Sequence, residues 1–209
     1  DVAFIGGNDL EDRNLISGNN TAGIDVRGSV INIHGNVIGT DRTGAAPLPN
    51  GTGILVTTSE AALVTIGSAG PYAANEISLN EGDGIEVAPT ATGPVEIHYN
   101  RFYQNDGLAI DLNADGVTPN DPSDSDDGPN DLQNYPVLTF ARLNAGMLTV
   151  EGYLDAPADT YRLDFYLVDL PDPSRHGEGE TFIAQIELDS PGGTFFFREK
   201  ILHGCVAQC

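Results

Sequence analysis

Three short sequence patterns recur in a fixed order through the first 112 residues. The first pattern alternates apolar and polar residues, the second starts with asparagine, and the third starts with glycine. The first occurs at residues 30–34, 64–67 and 95–98. The second occurs at residues 14–17, 36–39, 75–78 and 100–103, and the third at residues 23–26, 53–56, 84–87 and 107–110. Alternation with a period of two is typical of a β-strand, so the sequence predicts three short strands per repeat.

The spacing of the third pattern gives the size of the repeat. Gly23 and Gly53 are 30 residues apart, Gly53 and Gly84 are 31 apart, and Gly84 and Gly107 are 23 apart. One such coil cannot bury its aliphatic row, whereas coils stacked about 4.8 Å apart bury it continuously. The 25 glycines and 13 prolines also favour turns over helices. We therefore predict an all-β protein that begins with a right-handed parallel β-helix of about 3–4 coils, over residues 1–112.

Asparagine opens every copy of the second pattern, at Asn14, Asn36, Asn75 and Asn100. Asparagine tolerates the left-handed backbone conformation, and equivalent asparagines on stacked strands hydrogen-bond along a ladder. We therefore interpret these residues as structural rather than as ligands.

The segment after the repeats differs in kind, and we predict an acidic linker or loop over residues 113–134. Seven aspartates and no basic residue fall between Asp111 and Asp131. Asp111, Asn113 and Asp115 sit at alternate positions before Gly116, as at the start of a calcium-binding loop, but Pro122 stands where an EF-hand has glutamate. Two interpretations stay open, a solvated linker and a calcium site, and the candidate ligands are Asp111, Asn113, Asp115, Asp121, Asp124, Asp126 and Asp127.

Strand-like segments of another kind follow from residue 135. Five alternating segments, at residues 136–139, 147–153, 161–167, 182–188 and 194–197, are separated by turn sequences such as residues 144–146 and 191–193. This spacing is typical of antiparallel strands. We predict a small antiparallel immunoglobulin-like β-sandwich over residues 135–209.

Charge and cysteine content limit the partners and the chemistry. The 31 acidic against 9 basic residues give a net charge of −22, which repels nucleic acid and anionic lipid. No apolar run is long enough for a membrane-spanning helix, so we expect no membrane insertion. Cys205 and Cys209 are the two cysteines, and we predict a local disulfide between them, with two free thiols as the alternative.

Several motifs resemble a family of bacterial secreted right-handed β-helix repeat proteins that are followed by a β-sandwich domain. The repeat motif lies at residues 36–44 and 50–54, the motif that closes the helix at residues 110–112, 119–121, 128–130 and 133–138, and a hairpin motif at residues 172–174 and 176–182. The resemblance implies export to the cell surface and a modular surface protein. It implies no established reaction.

Catalysis on a β-helix face would need carboxylates from adjacent coils side by side. The spacing puts Asp25, Leu55, Glu86 and Ala109 in one outward row and Asn32, Thr65 and Glu96 in another. Neither row pairs carboxylates on adjacent coils, so we interpret both as solvated strand faces. His176, Glu178 and Glu180 would share one face of an extended hairpin, either as a metal site or, as we favour, as exposed turn residues.

These observations favour a non-catalytic extracellular protein at the cell surface. We expect a structural or adhesive role, such as a subunit of a surface layer or filament assembled through strand edges, with self-association or other surface proteins as partners. The alternative is a polysaccharide-binding module or a polysaccharide-active lyase or hydrolase that uses a β-helix face. An enzymatic role is left undecided, with the balance against it.

Overall fold

The computed structural model describes residues 2–28, 30–58, 63–70, 72–169 and 172–202. Within these ranges the only helices are two short 3-10 turns, at Leu10–Asp12 and Pro129–Leu132. Neither is long or apolar enough to cross a membrane. The described chain packs as two compact units. The first comprises residues within 2–118, 128–130 and 166–182, and the second comprises residues within 119–127, 131–165 and 183–202.

The first unit is built from twelve short strands that wind through four coils. In chain order they are β1 (Ala3–Gly6), β2 (Leu15–Ile16), β3 (Ala22–Val26), β4 (Ile31–His34), β5 (Val37–Ile38), β6 (Thr52–Val56), β7 (Val64–Ile66), β8 (Glu76–Ser78), β9 (Ile85–Val87), β10 (Val95–Ile97), β11 (Arg101–Tyr103) and β12 (Ile110–Leu112). Every third strand pairs in parallel, which gives three sheets in the orders β1-β4-β7-β10, β2-β5-β8-β11 and β3-β6-β9-β12. The predicted parallel β-helix is confirmed, with four coils.

The core of this unit is the row of aliphatic side chains that the alternation predicts. Ile33 and Ile66 are neighbours in the first sheet, and Ile54 and Ile85 are neighbours in the third. All four are fully buried, together with Ile38, Val56, Val64, Ile77 and Val87. Burial of one such side chain contributes about 1.5–3 kcal/mol. The stability of the unit therefore depends on coils covering one another.

Two ladders of asparagine side chains run along the coils. In the first ladder, the side-chain Nδ2 atoms of Asn14, Asn36 and Asn75 donate to the Oδ1 atom of the next member, ending at Asn100, over 2.8–3.0 Å. The second ladder comprises Asn19, Asn50, Asn80 and Asn105. The backbone N–H of each donor beyond Asn14 also reaches the same Oδ1 atom. The structural interpretation of the asparagines is confirmed, and it extends to a second set that the repeat patterns do not include.

Gly67 shows why the corner after the first strand excludes a side chain. Its φ is +89°, a conformation that L-residues rarely adopt. A Cβ atom there would also collide with the backbone oxygen of His98 and would lie 2.7 Å from the amide of Asn100. The close approach of one coil to the next therefore requires glycine at this position.

The second unit contains most of the antiparallel sandwich that the sequence predicts. Its strands are β13 (Val137–Asn144), β14 (Met147–Ala156), β15 (Thr160–Leu167), β16 (Thr181–Asp189) and β17 (Gly193–Leu202). Strands β13, β14 and β17 form one antiparallel sheet, and β15 and β16 form the other. The two sheets share a core of Val150, Leu163, Phe165, Phe197 and Ile201.

Substitutions in the first ladder test how much its hydrogen bonds contribute to the stability of the β-helix. We expect Asn75→Ala to lower the free energy of unfolding by about 3 kcal/mol, because it leaves the buried backbone N–H of Asn36 without its acceptor and removes one bond of the Asn36 Nδ2 group. Asn14→Ala, at the exposed start of the same ladder, is the matched control and should cost under about 1 kcal/mol, because it removes a single, only partly buried bond. Urea denaturation followed by circular dichroism measures both losses. Equal losses would contradict a ladder that acts through burial.

Candidate functional site

The first coil exposes an edge that no described strand covers. Strands β1, β2 and β3 each pair on one side only, with β4, β5 and β6. Large apolar side chains are exposed on this coil: Val2 by 52%, Phe4 by 66%, Leu10 by 56% and Leu15 by 46%. Ile5 and Ile16 are only partly buried here, whereas their counterparts in the second and third coils are fully buried. The edge therefore combines unpaired backbone groups with apolar surface.

The opposite edge of the β-helix is partly covered, over its first and second sheets. The carboxylate of Glu178 accepts hydrogen bonds from the backbone N–H and the Nδ2 atom of Asn105, at 3.0 and 2.8 Å, and from the backbone N–H of Gln104. The backbone oxygen of Gly179 accepts from the N–H of Phe102 at 2.9 Å. On the first sheet, the side-chain amide of Asn130 bonds to both backbone groups of Val95, at 2.9 and 2.7 Å. We call Asn130 and residues 178–180 the end cap.

The hairpin residues that could resemble a metal site serve other contacts. Glu178 belongs to the end cap, and its burial raises its pKa against the opposing effect of the Asn105 hydrogen bonds. Glu180 accepts from the backbone N–H of Asp169 through Oε2, at 3.1 Å. Among the described residues, His176, Glu178 and Glu180 do not form a group that could hold a metal ion.

The register of the fourth coil corrects the outward row predicted from sequence. Strand β12 pairs with β9 so that Ile110 lies opposite Ile85 and Asp111 lies opposite Glu86. Asp111, not Ala109, therefore follows Asp25, Leu55 and Glu86 in this row, and two carboxylates do stand on adjacent coils. The second row, Asn32, Thr65 and Glu96, is confirmed.

Asp111 is an unusual carboxylate because its own loop covers it. Only 4% of the residue is exposed, its Oδ2 atom accepts from the backbone N–H of Gly116 at 2.9 Å, and its Oδ1 atom has no hydrogen-bond partner. Burial raises the pKa of Asp111, against the Gly116 hydrogen bond, and the nearby charge of Asp83 adds to the rise. Burial also raises the pKa of Glu86, with Asp83 and Asp111 as the neighbouring charges. Both carboxyl groups therefore keep a proton to a higher pH than an isolated carboxyl group would.

The candidate calcium ligands fall into both units. Asp111, Asn113 and Asp115 belong to the first unit, where the Nδ2 atom of Asn113 donates to the Oδ2 atom of Asp115 at 2.9 Å. Asp121, Asp124, Asp126 and Asp127 belong to the second unit. Among the described residues, Asp121, Asp124 and Asp126 are the group that could hold a metal ion, because each offers a carboxylate oxygen within 4.8 Å of the others.

Hydrogen bonds of the surrounding loop hold this aspartate triad in place. Asp121 accepts from the hydroxyl of Ser125 at 2.7 Å and from its backbone N–H, and Asp124 accepts from the backbone N–H of Asn134 at 2.6 Å. Asn134 is buried, and its Nδ2 atom donates to the backbone oxygens of Asp121 and Asp155. The loop thus fixes the positions of the carboxylates through its backbone.

Among the described residues, no ion pair balances the charges of the triad. The Oδ1 atom of Asp126 is buried and has no hydrogen-bond partner. Burial raises the pKa of Asp124, against the Asn134 hydrogen bond, and Asp126 and Asp121 raise it further. A cation would relieve this repulsion, and a set of carboxylate oxygens suits a hard divalent ion.

The predicted disulfide between Cys205 and Cys209 lies outside the described residues.

No protein-family model matches the chain, and no solved structure matches it. The assignment of a β-helix and of a sandwich therefore rests on the strand pairing and the cores described above.

Proposed function

We propose that this chain is a non-catalytic extracellular protein with a structural or adhesive role at a cell surface, and that it belongs to the secreted β-helix repeat proteins that its motifs resemble. The observation that carries the proposal is the open edge of the first coil. Its unpaired strands and exposed apolar side chains offer both hydrogen-bonding groups and apolar area to another chain. The net charge of −22 disfavours nucleic acid as the partner.

The edge should mediate association of the purified chain. We expect Phe4→Glu to weaken self-association about tenfold, because it places a charge on the most exposed aromatic ring of that edge. Phe196→Glu is the matched control, since Phe196 is 78% exposed but lies on β17 of the second unit. Sedimentation velocity over a range of concentrations measures the effect. A wild type that stays monomeric throughout, or equal effects of both substitutions, would count against the proposal.

We further propose that the aspartate triad binds calcium, which orders the acidic loop of the second unit. Three observations support calcium: the carboxylate oxygens converge, the Oδ1 atom of Asp126 lacks a partner, and the backbone of the loop already fixes Asp121 and Asp124. Oxygen ligands and a flexible coordination number are what calcium prefers.

Calcium should stabilise the second unit in a saturable way. At a concentration 100 times its Kd, a ligand that binds only the folded state adds about 2.7 kcal/mol, which raises the unfolding midpoint. We expect Asp126→Asn to abolish this rise, whereas Asp127→Asn, outside the triad, should preserve it. Differential scanning calorimetry with calcium chloride and with a chelator measures the midpoints. A rise that Asp127→Asn removes and Asp126→Asn leaves intact would place the ion elsewhere.

A polysaccharide-active enzyme is a second candidate because of the corrected register. Glu86 and Asp111 stand side by side on adjacent coils, and burial raises the pKa of both. Such a pair could supply a general acid to glycoside cleavage. Glu86 is the member of the pair that is more accessible, because Asp111 is covered by its loop.

Glu86 is the residue on which the enzymatic candidate depends. If the wild type releases reducing ends from a panel of neutral polysaccharides, we expect Glu86→Gln to lower kcat at least about 100-fold, since it removes the acid. Glu96→Gln, in the other outward row, is the control and should retain turnover. Absence of turnover by the wild type across the panel would reject this candidate and leave the structural role in place.

A further inference from the structure

The asparagine ladders have a direction. In both ladders each coil donates, through side-chain Nδ2 atoms, to the Oδ1 atom of the coil that follows. The exposed Asn14 and Asn19 of the first coil therefore present Oδ1 atoms that accept from no described donor. The fourth coil presents the opposite chemistry, because the N–H and Nδ2 groups of Asn105 point onwards as donors. The two edges of the β-helix are complementary to each other.

Glu178 occupies the place of a fifth member of the second ladder. Asn80 sends its backbone N–H and its Nδ2 atom to the Oδ1 atom of Asn105, at 3.3 and 2.9 Å. Asn105 sends the same two groups to the Oε1 atom of Glu178, at 3.0 and 2.8 Å. The carboxylate of Glu178 therefore satisfies donors that another coil would otherwise satisfy.

The end cap also replaces the backbone of a fifth coil. Gly179 accepts from Phe102 in the second sheet as a neighbouring strand would, and the amide of Asn130 imitates a peptide group beside Val95 in the first sheet. Ile97 and Leu112 of the fourth coil are only partly buried, as are Ile5 and Ile16 of the first. Apolar surface thus remains at both edges for a stacked coil to cover.

We propose that the end cap weakens head-to-tail stacking without preventing it, and that the surface beneath it fits the first coil of a second copy of this chain. In that contact the N–H and Nδ2 groups of Asn105 donate to the Oδ1 atom of Asn19 of the second copy, which continues the ladder across the interface. Each added copy offers a further donor edge once its own cap is displaced, so the contact is of the heterologous kind that extends into filaments. The inference rests on the proposed structural function and adds a partner surface and its control.

The test opens the cap without touching the core. Glu178→Lys combined with Asn130→Ala removes the carboxylate that accepts from Asn105 and the side-chain amide that bonds to the backbone of Val95. The positive charge of the lysine also repels the exposed donors of Asn105. We expect this variant to form species larger than a dimer at a concentration at least tenfold below that of the wild type. Glu178→Gln is the control, because its amide oxygen keeps an acceptor in place, and it should behave as the wild type does. Sedimentation velocity and negative-stain electron microscopy at physiological ionic strength, where the Debye length is about 8 Å, measure the size and form of the species.

A third variant identifies the surface that the opened cap binds. Adding Asn19→Leu removes the Oδ1 acceptor at the exposed start of the second ladder, and we expect it to return the opened variant to the size distribution of the wild type. An opened variant that keeps its circular dichroism spectrum but stays at the wild-type size would overturn the inference. Assembly that is insensitive to Asn19→Leu would overturn it too. Neither result bears on the Phe4→Glu experiment, so failure of this inference and failure of the proposed function remain distinguishable.

Discussion

A single coil of this protein cannot exclude water from its own aliphatic side chains, and the contact between one coil and the next is the interaction on which the rest depends. The strands of each coil find their backbone partners in neighbouring coils, and the fully buried isoleucines of the core lie opposite one another across those pairs. The asparagine ladders add side-chain bonds in the same direction. Stability is therefore a property of neighbours rather than of individual repeats, as in other solenoids.

Because each coil depends on its neighbours, hydrogen-bonding groups and apolar side chains at the two edges of the stack lack the partners that inner coils have. At the first coil the remainder is apolar surface and hydrogen-bond acceptors, whereas at the fourth coil donors are satisfied by a carboxylate and a side-chain amide. The acidic triad of the second unit is a separate case of unbalanced chemistry, in which carboxylates are held together by the backbone of their loop. Each of these sites contains groups, apolar or charged, that the described part of the chain does not fully cover or pair.

Much of the fold could be predicted because its determinants are local and repeated. Alternating strands and recurrent asparagines lie close together in the sequence, and they identified the three sheets and the five strands of the sandwich. The register that the sequence predicted for the fourth coil was wrong, because Gly107 was aligned with the glycines that open the third pattern in the earlier coils. Both ladders advance by 25 residues between the last two coils, from Asn75 to Asn100 and from Asn80 to Asn105, and this spacing predicts Asp111 opposite Glu86. The role of Glu178 had no such signal, since it depends on a contact 73 residues away in the chain.

The ladders also keep the coils aligned even though successive coils contain different numbers of residues. Successive members of the first ladder are 22, 39 and 25 residues apart, yet their side chains meet at nearly the same distance. Extra residues leave the coil between Asn36 and Asn75 as excursions, while the amide bonds keep the following strands aligned. A scaffold of this kind can vary its surface loops freely, because the residues that set its alignment are not the residues that vary in number.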